Sequence, residues 1–277
     1  MPSLVSLLEY LYGFITNMSD TVIMGIVADD VRALNSIYSS SNVLEECYNI
    51  LAPISLSLCL AYLITGWTQE SLNPKTTKET YIKLFIRFIC ACFFIMYGYE
   101  IMSFFHKFFD SMTLEIIDKM AIVGPGNIDN ASSFLGGLIE LIVSTALIVP
   151  QAIVTIIYII IIKIVLVRRS KDIGLHIVLS SFTMPSFILD SKRSNFTMYL
   201  KKFAALCLQG GVIVVIVIVS NMLMKGSILV PSLQGIQDVY IFNVLAPLKI
   251  VIVILTMLSL LFKSRKISMD LVGSQEY

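Results

Sequence analysis

Residues Leu141–Ile162 read LIVSTALIVPQAIVTIIYIIII, twenty-two consecutive positions without a charge. As a helix this stretch is about 33 Å long at ~1.5 Å per residue, enough to cross the roughly 30 Å hydrocarbon core of a bilayer. A helix apolar on every side belongs in a large core or a membrane. The rest of the 277-residue chain agrees. Hydrophobic residues make up 57% and charged residues 14%, with a mean hydropathy of +0.85. Ordinary soluble domains are about a quarter charged. So little polar surface excludes a soluble globule, a disordered chain and a collagen-like repeat. The implied fold class is all-α, a polytopic membrane protein.

Outward from this run, the third span extends to Leu138–Val167. Four more apolar runs reach spanning length: Ile50–Gly66, Leu84–Phe105, Phe203–Leu223 and Ile241–Phe262. Five spans sort the charges by the excess of Lys and Arg on the cytoplasmic side. Lys75, Lys78, Lys83 and Arg87 fall inside. So do Lys163, Arg168, Arg169, Lys171, Lys192, Arg193, Lys201 and Lys202, and after the last span Lys263, Arg265 and Lys266. Asp29, Asp30, Glu45, Glu46, Asp110, Glu115, Asp118 and Asp129 fall outside. The expected topology has the N-terminus outside and the C-terminus in the cytoplasm. Near-neutrality, a net charge of +1, then reflects two oppositely charged faces, with no sign of a nucleic-acid-binding surface.

Residues 1–42 read as an extracytoplasmic amphipathic helical segment, with Leu4, Leu7, Leu8, Leu11, Ile15, Met18 and Val22 at helical spacing. It lies on the membrane or another subunit, or packs on the protein's own spans. The beginning, MPSLVSLLEY, has no basic stretch or cleavage site and is not expected to be a signal peptide. Asn42 with Glu45 resembles a capping box for the helix entering a five-span membrane domain, 43–277. The first part of the loop after Phe105 is expected to prolong the second span as helix through Met120, before Gly124-Pro125-Gly126-Asn127 turns the chain. Ile173–Ile188, broken by Gly174 and Pro185, is too short to span and is expected to form a separate cytoplasmic interfacial or re-entrant helix. Pro53 and Pro247 open the first and fifth spans within similar strings, Asn49-Ile50-Leu51-Ala52-Pro53 and Asn243-Val244-Leu245-Ala246-Pro247. Proline is tolerated in a first helical turn.

The chain has little equipment for catalysis. Its five cysteines lie mostly in apolar runs, and His106 and His176 are its only histidines. No metal or other cofactor is expected. Phosphate-loop, H-E-x-x-H and G-x-S-x-G motifs are absent, so an enzyme is not expected.

Polar residues inside the spans are the candidate sites, because each charge at mid-bilayer costs about 2.5–3.5 kcal/mol on insertion scales. Glu100, Glu140 and Lys249 are the intramembrane charges. They either pair to lock helices, Lys249 with Glu100 or Glu140, or line a wet cavity. Glu140, Ser144, Gln151, Thr155 and Tyr158 share one face of the third span. Gln209 and Ser220 share a face of the fourth, and Lys249, Thr256, Ser259 and Lys263 one of the fifth. Such stripes serve helix contacts or a conduit.

The stretch Arg168–Val219 carries a resemblance. A long span ends in Arg168-Arg169. An apolar segment with Pro185 follows, then Tyr199-Leu200-Lys201-Lys202-Phe203-Ala204-Ala205-Leu206-Cys207-Leu208-Gln209-Gly210. This order, with the five-span topology, resembles the TrbL-like polytopic inner-membrane subunit of type IV secretion and conjugation systems. The resemblance implies a channel or scaffold subunit in the bacterial cytoplasmic membrane. Such a subunit would form a homo-oligomer with other secretion-system membrane subunits and pass DNA or protein substrates, powered by separate cytoplasmic ATPases. Arg168, Arg169, Pro185, Tyr199, Lys201, Lys202 and Gln209 match the family pattern as assembly and anchoring residues. No function tied to the long C-terminal extension of some members is expected to carry over. A small-molecule permease or transporter subunit is the competing expectation.

Overall fold

A computed structural model describes Gly25, residues 28–29 and 31–33, and residues 43–72, 77–121, 138–225 and 239–273; within these, the side chains at 120–152, 155 and 221–250 are not described. The described residues are helical apart from short turns, with no strand among them. Five long helices carry the fold: α1 (Val43–Ser71), α2 (Lys78–Ala121), α3 (Leu138–Thr183), α4 (Arg193–Lys225) and α5 (Val239–Val272). Each of the five apolar runs lies inside one of them. Among the described residues, three segments are long and apolar enough to cross a membrane, Val43–Ser71, Lys78–Lys119 and Asp190–Ser220. Asn42, the glycine-rich turn at 124–127 and most of the amphipathic N-terminal segment lie outside the described residues. Ala28 and Val31 of that segment are buried in a core cluster of the protein itself.

The helices outrun the spans predicted within them. The 44 residues of α2 extend about 66 Å and the 46 of α3 about 69 Å, at ~1.5 Å per residue. As expected, α2 continues beyond Met120. α3, by contrast, does not stop at Arg168-Arg169. It runs on to Thr183, so Ile173–Ile188 is no separate re-entrant helix. Gly174 sits within unbroken helix, at a cost of about 1 kcal/mol relative to alanine that buried contacts on both sides of it offset. What ends α3 is Pro185, which disfavours the α conformation in the residue before it. The chain tightens there into a 3-10 turn, Met184–Phe187, and a second one at Asp190–Lys192. Pro53 also departs from its reading, since it lies well inside α1 rather than in a first turn; Pro247 likewise lies well inside α5.

The chain forms two compact units, and α2 to α5 each contribute to both. The first comprises Met1–Val31, Thr113–Val167 and Gly211–Ser264. Its core is a cluster of Ile162, Leu166, Ile213, Val214, Val217, Val253, Ile254, Met257 and Leu261 around Tyr158. The second unit comprises Arg32–Met112, Arg168–Gly210 and Arg265–Tyr277. One of its clusters gathers Cys59 and Leu63 of α1, Leu84, Ala91 and Ile95 of α2, and Met184, Ile188 and Phe196. Another joins Met102 of α2, Ile173 and Ile177 of α3, and Phe203, Leu206 and Cys207 of α4. The second predicted span therefore packs along Ile173–Ile188, the stretch read as a linker. Those residues are core, with Ile173 and Ile188 fully enclosed.

Within the second unit α2 docks by a single stripe. Leu84, Ala91, Ile95, Gly98, Met102, His106 and Asp110 are buried, at steps of three, four and seven that keep one helix face inward. The outward face is apolar and aromatic, including Phe85, Phe93, Phe104 and Phe108. α4 is more enclosed: 61% of its most apolar window is buried, against 17% for α1 and 22% for α2.

Candidate functional site

The apolar stripe of α2 ends in two residues that do not belong in an apolar core. His106 and Asp110, one helical turn apart, are 2% and 0% exposed. The charge that answers them comes from α3. Arg169 is 1% exposed, and its Nη2 donates to Asp110 Oδ1 at 2.7 Å. Nη2 also donates to the Cys207 carbonyl at 3.1 Å, and Nε to the Leu206 carbonyl at 3.1 Å. A carbonyl has two lone pairs, so these α4 carbonyls can accept from Arg169 as well as from their own helix. The guanidinium is the only side-chain cation that presents several donors in a rigid fork. One side chain thus ties α3 to both α2 and α4.

Gly210 makes the space. A Cβ built there would lie 2.7 Å from the guanidinium carbon and 2.8 Å from each terminal nitrogen. The glycine and the arginine, forty-one positions apart in sequence, require each other. The other Asp110 oxygen, Oδ2, accepts no hydrogen bond among the described residues and lies 3.4 Å from His106 Nε2.

Nearer α1, buried tyrosine hydroxyls bond to helix carbonyls. Tyr48 donates to the Ile95 carbonyl at 2.8 Å and packs against Tyr99 with ring centres 6.0 Å apart. Gly98 leaves the opening, because a Cβ there would collide with the Tyr48 hydroxyl. Tyr199 donates to the His176 carbonyl and stacks on the His176 ring. His176 Nδ1 lies 2.8 Å from the Asp172 carbonyl. The Asp172 carboxylate accepts from Arg265 at 3.1 Å. Lys201 donates to the carbonyl of Gly273 at 3.2 Å. Gly273 takes a left-handed φ of 67° just past the end of α5, the common stop for a helix. A cation at this end also suits the helix dipole.

The structure brings together some of the sequence-predicted residues and not others. Of the family-pattern set, Arg169, Pro185 and Gln209 are buried, while Arg168 and Lys201 are exposed and Tyr199 and Lys202 half-buried. Of the polar faces, Tyr158 and Ser220 point into the first unit's core. Ser220 donates back to the Ile216 carbonyl of its own helix at 2.8 Å. Among the described residues the Tyr158 hydroxyl has no hydrogen-bond partner. Thr256 and Ser259 are exposed, and Thr256 bonds back to the Val253 carbonyl at 2.7 Å. Glu100 is exposed on α2. The side chains of Glu140, Ser144, Gln151, Thr155 and Lys249 lie outside those described, and with them the pairing expected of Lys249.

The charge sorting fails at one place. It assigned Asp110 to the outer face and Arg169 to the cytoplasm. An ion pair 2.7 Å long cannot have its ends on opposite sides of a ~30 Å hydrocarbon core. The residues misread were Arg169, taken with Arg168 as a doublet of anchors, and Asp110, taken as an outer charge on the helical extension of the second span. Helical register was the available signal. Arg169 continues the series Ile162, Leu166, Ile173 and Ile177 at steps of three and four, and Arg168 does not.

Chemically the centre is a buried, cross-linked ion pair with an imidazole beside it. Among the described residues no three His, Cys, Asp or Glu side chains are grouped to hold a metal ion. Comparison with protein-family models, with characterised proteins and with solved structures finds no match for this chain.

Proposed function

We propose that the chain is a membrane-embedded channel or scaffold subunit of a type IV secretion or conjugation apparatus in the bacterial cytoplasmic membrane, without catalytic activity of its own. The observation that carries this reading is the Arg169–Gly210 contact. It joins the two ends of the motif order that resembles the TrbL-like family, Arg168-Arg169 and Leu208-Gln209-Gly210, in one buried centre. Pro185, between those ends, closes α3 so that α4 can return beside it. These residues then form a rigid α3–α4 hairpin, as a subunit that must hold its shape beside a moving substrate needs. In this proposal the ion pair lies level with the apolar run of α4, Phe203–Leu223, whose Leu206 and Cys207 carbonyls Arg169 holds. The outer placing of Asp110 and the cytoplasmic placing of Arg169 are both given up. Homo-oligomers, other secretion-system membrane subunits and separate ATPases are the partners it calls for.

The test is copurification and transfer. The tagged chain, extracted from its native cells in mild detergent, is expected to bring down conjugation ATPases or membrane subunits at a size above that of a monomer. Its deletion is expected to abolish DNA or protein transfer. A strict monomer, together with undiminished transfer, would sink the proposal.

A further inference from the structure

We propose that Cys59 of α1 and Cys92 of α2 are a disulfide-forming pair, oxidised by a lipid-soluble quinone, that locks these two helices together. Both residues belong to the second unit. Here α1 and α2 are antiparallel neighbours: Gly66 faces Leu84 near one end of the seam, and Tyr48 faces Gly98 near the other. Between those two contacts, Cys59 and Cys92 come level with each other to within a helical turn. Their thiols meet in a side-chain hydrogen bond. The seam is narrow. The buried face of α1 offers Ser55, Cys59 and Gly66, and that of α2 offers Ala91 and Gly98, small residues that let helices approach closely. A disulfide needs that approach, with Cα atoms no more than about 7 Å apart. The remaining cysteines are placed elsewhere. Cys90 is two positions from Cys92 and so faces away from it around α2. Cys207 lies beside Arg169, and Cys47 is exposed near the start of α1.

The surroundings select the oxidant. Cys59 is fully enclosed, in a cluster with Leu63, Leu84, Ala91 and Ile95. Cys92 is half-buried and is the thiol that an oxidant reaches first. Near it on the outward side of α2 are Ile89, Phe93 and Met96, all exposed, in a segment long and apolar enough to cross a membrane. Charged oxidants such as glutathione disulfide are excluded from such a surface by the cost of leaving water, and a quinone is not. A quinone also fits the electron count. Two S–H bonds break and one S–S bond forms, while two electrons and two protons pass to the quinone, which leaves as the hydroquinone. A cross-link acts chiefly by narrowing the loosened states of a chain. Among the three segments apolar enough to span, α1 is the least enclosed, with 17% of its most apolar window buried, so it gains most from a covalent tie.

The test uses the full chain in its native membranes, first reduced with a phosphine. Copper(II)–phenanthroline in air reads the geometry. Free thiols are then blocked with N-ethylmaleimide in detergent, and the peptides are read by mass spectrometry. A linked Cys59–Cys92 peptide is expected in the wild type and in Cys90→Ala. Linkage of either residue to another cysteine, or no linkage, overturns the pairing. Should Cys90→Ala not fold, fragmentation of the wild-type peptide between positions 90 and 92 tells the two cysteines apart. The second arm reads the oxidant. A ubiquinone-type quinone, with no free ring position for a thiol to add to, is supplied without air in its oxidised or its hydroquinone form. The quinone is expected to convert most of the doubly alkylated pair into the linked peptide, and the hydroquinone to leave the pair alkylated. Equal linkage with both forms, or none with either, overturns the quinone. Hydrogen exchange of the α1 amides is expected to slow several-fold once the link is made; unchanged exchange overturns the lock.

Discussion

The two units bury different things. Among the described residues the first is closed mainly by aliphatic side chains from α2, α3, α4 and α5, with Tyr158 in the same cluster. The second encloses Arg169, Asp110 and His106, as well as Tyr48, Ser180, Ser181 and Gln209. Aliphatic burial is non-directional, so it holds helices together without fixing how far one slides along another. A guanidinium bonded to two carbonyls and a carboxylate makes directional contacts and so fixes register. The second unit therefore sets the alignment of α2, α3 and α4 along their length, and the first supplies contact area.

The largest expected effect comes from removing half of the ion pair. Arg169→Met leaves Asp110 charged and enclosed, and Asp110→Leu does the same to Arg169. Each is expected to cost about 3–5 kcal/mol, whereas the double replacement is expected to be close to neutral. Reversible unfolding in mixed micelles measures all three. If the double variant loses as much as the two singles added together, the pair is not what couples these helices.

The adjacent glycines of α4 separate the units next. Gly210, in the second unit, faces the guanidinium at 2.7 Å. Gly210→Ala is expected to cost about 1–3 kcal/mol through overpacking, and less in an Arg169→Met background. Gly211, in the first unit, would meet only the Thr113 hydroxyl at 3.8 Å, an ordinary contact. Gly211→Ala is expected to be neutral or to gain up to about 1 kcal/mol from helix propensity. Equal losses at both positions would remove the distinction between a tight polar centre and a looser aliphatic one.

How much of this was legible in the sequence follows from the kind of interaction involved. The helices were, because an uncharged run such as Leu141–Ile162 has few other uses. Their extent was not, because charge marks a membrane boundary only when it is exposed, and Arg169 is enclosed. The doublet Arg168-Arg169 looks like two anchors, yet one side chain points out and the other in. Gly174 and Pro185 both read as breaks in Ile173–Ile188, but only proline ends the helix, since a buried glycine costs little where packing is good. Tyr199 and Lys201 were legible as positions and not as roles, because their acceptors are main-chain carbonyls, His176 and Gly273. Any residue type offers that carbonyl, so no sequence pattern announces it.

The smallest effect is the most discriminating, because one substitution is expected to have opposite signs in the two units. Tyr48 and Tyr158 are both 1% exposed. The Tyr48 hydroxyl is bonded to the Ile95 carbonyl, so Tyr48→Phe loses a buried hydrogen bond and is expected to destabilise by about 0.5–1.5 kcal/mol. It should also relieve Gly98→Ala, whose new Cβ would otherwise strike that hydroxyl. The Tyr158 hydroxyl finds no hydrogen-bond partner among the described residues, and an unsatisfied buried group carries a desolvation cost of about 1–3 kcal/mol. Tyr158→Phe removes the group that bears this cost and is expected to stabilise by about 1 kcal/mol. A loss instead would mean that the hydroxyl is satisfied by an enclosed water. Water needs two or more polar partners, and the positions that share this helix face are Thr155 and Gln151. A destabilised Tyr158→Phe would therefore make the first unit wet along α3. Its stripe would then be a conduit lining, and the contrast between a dry aliphatic unit and a polar one would fall.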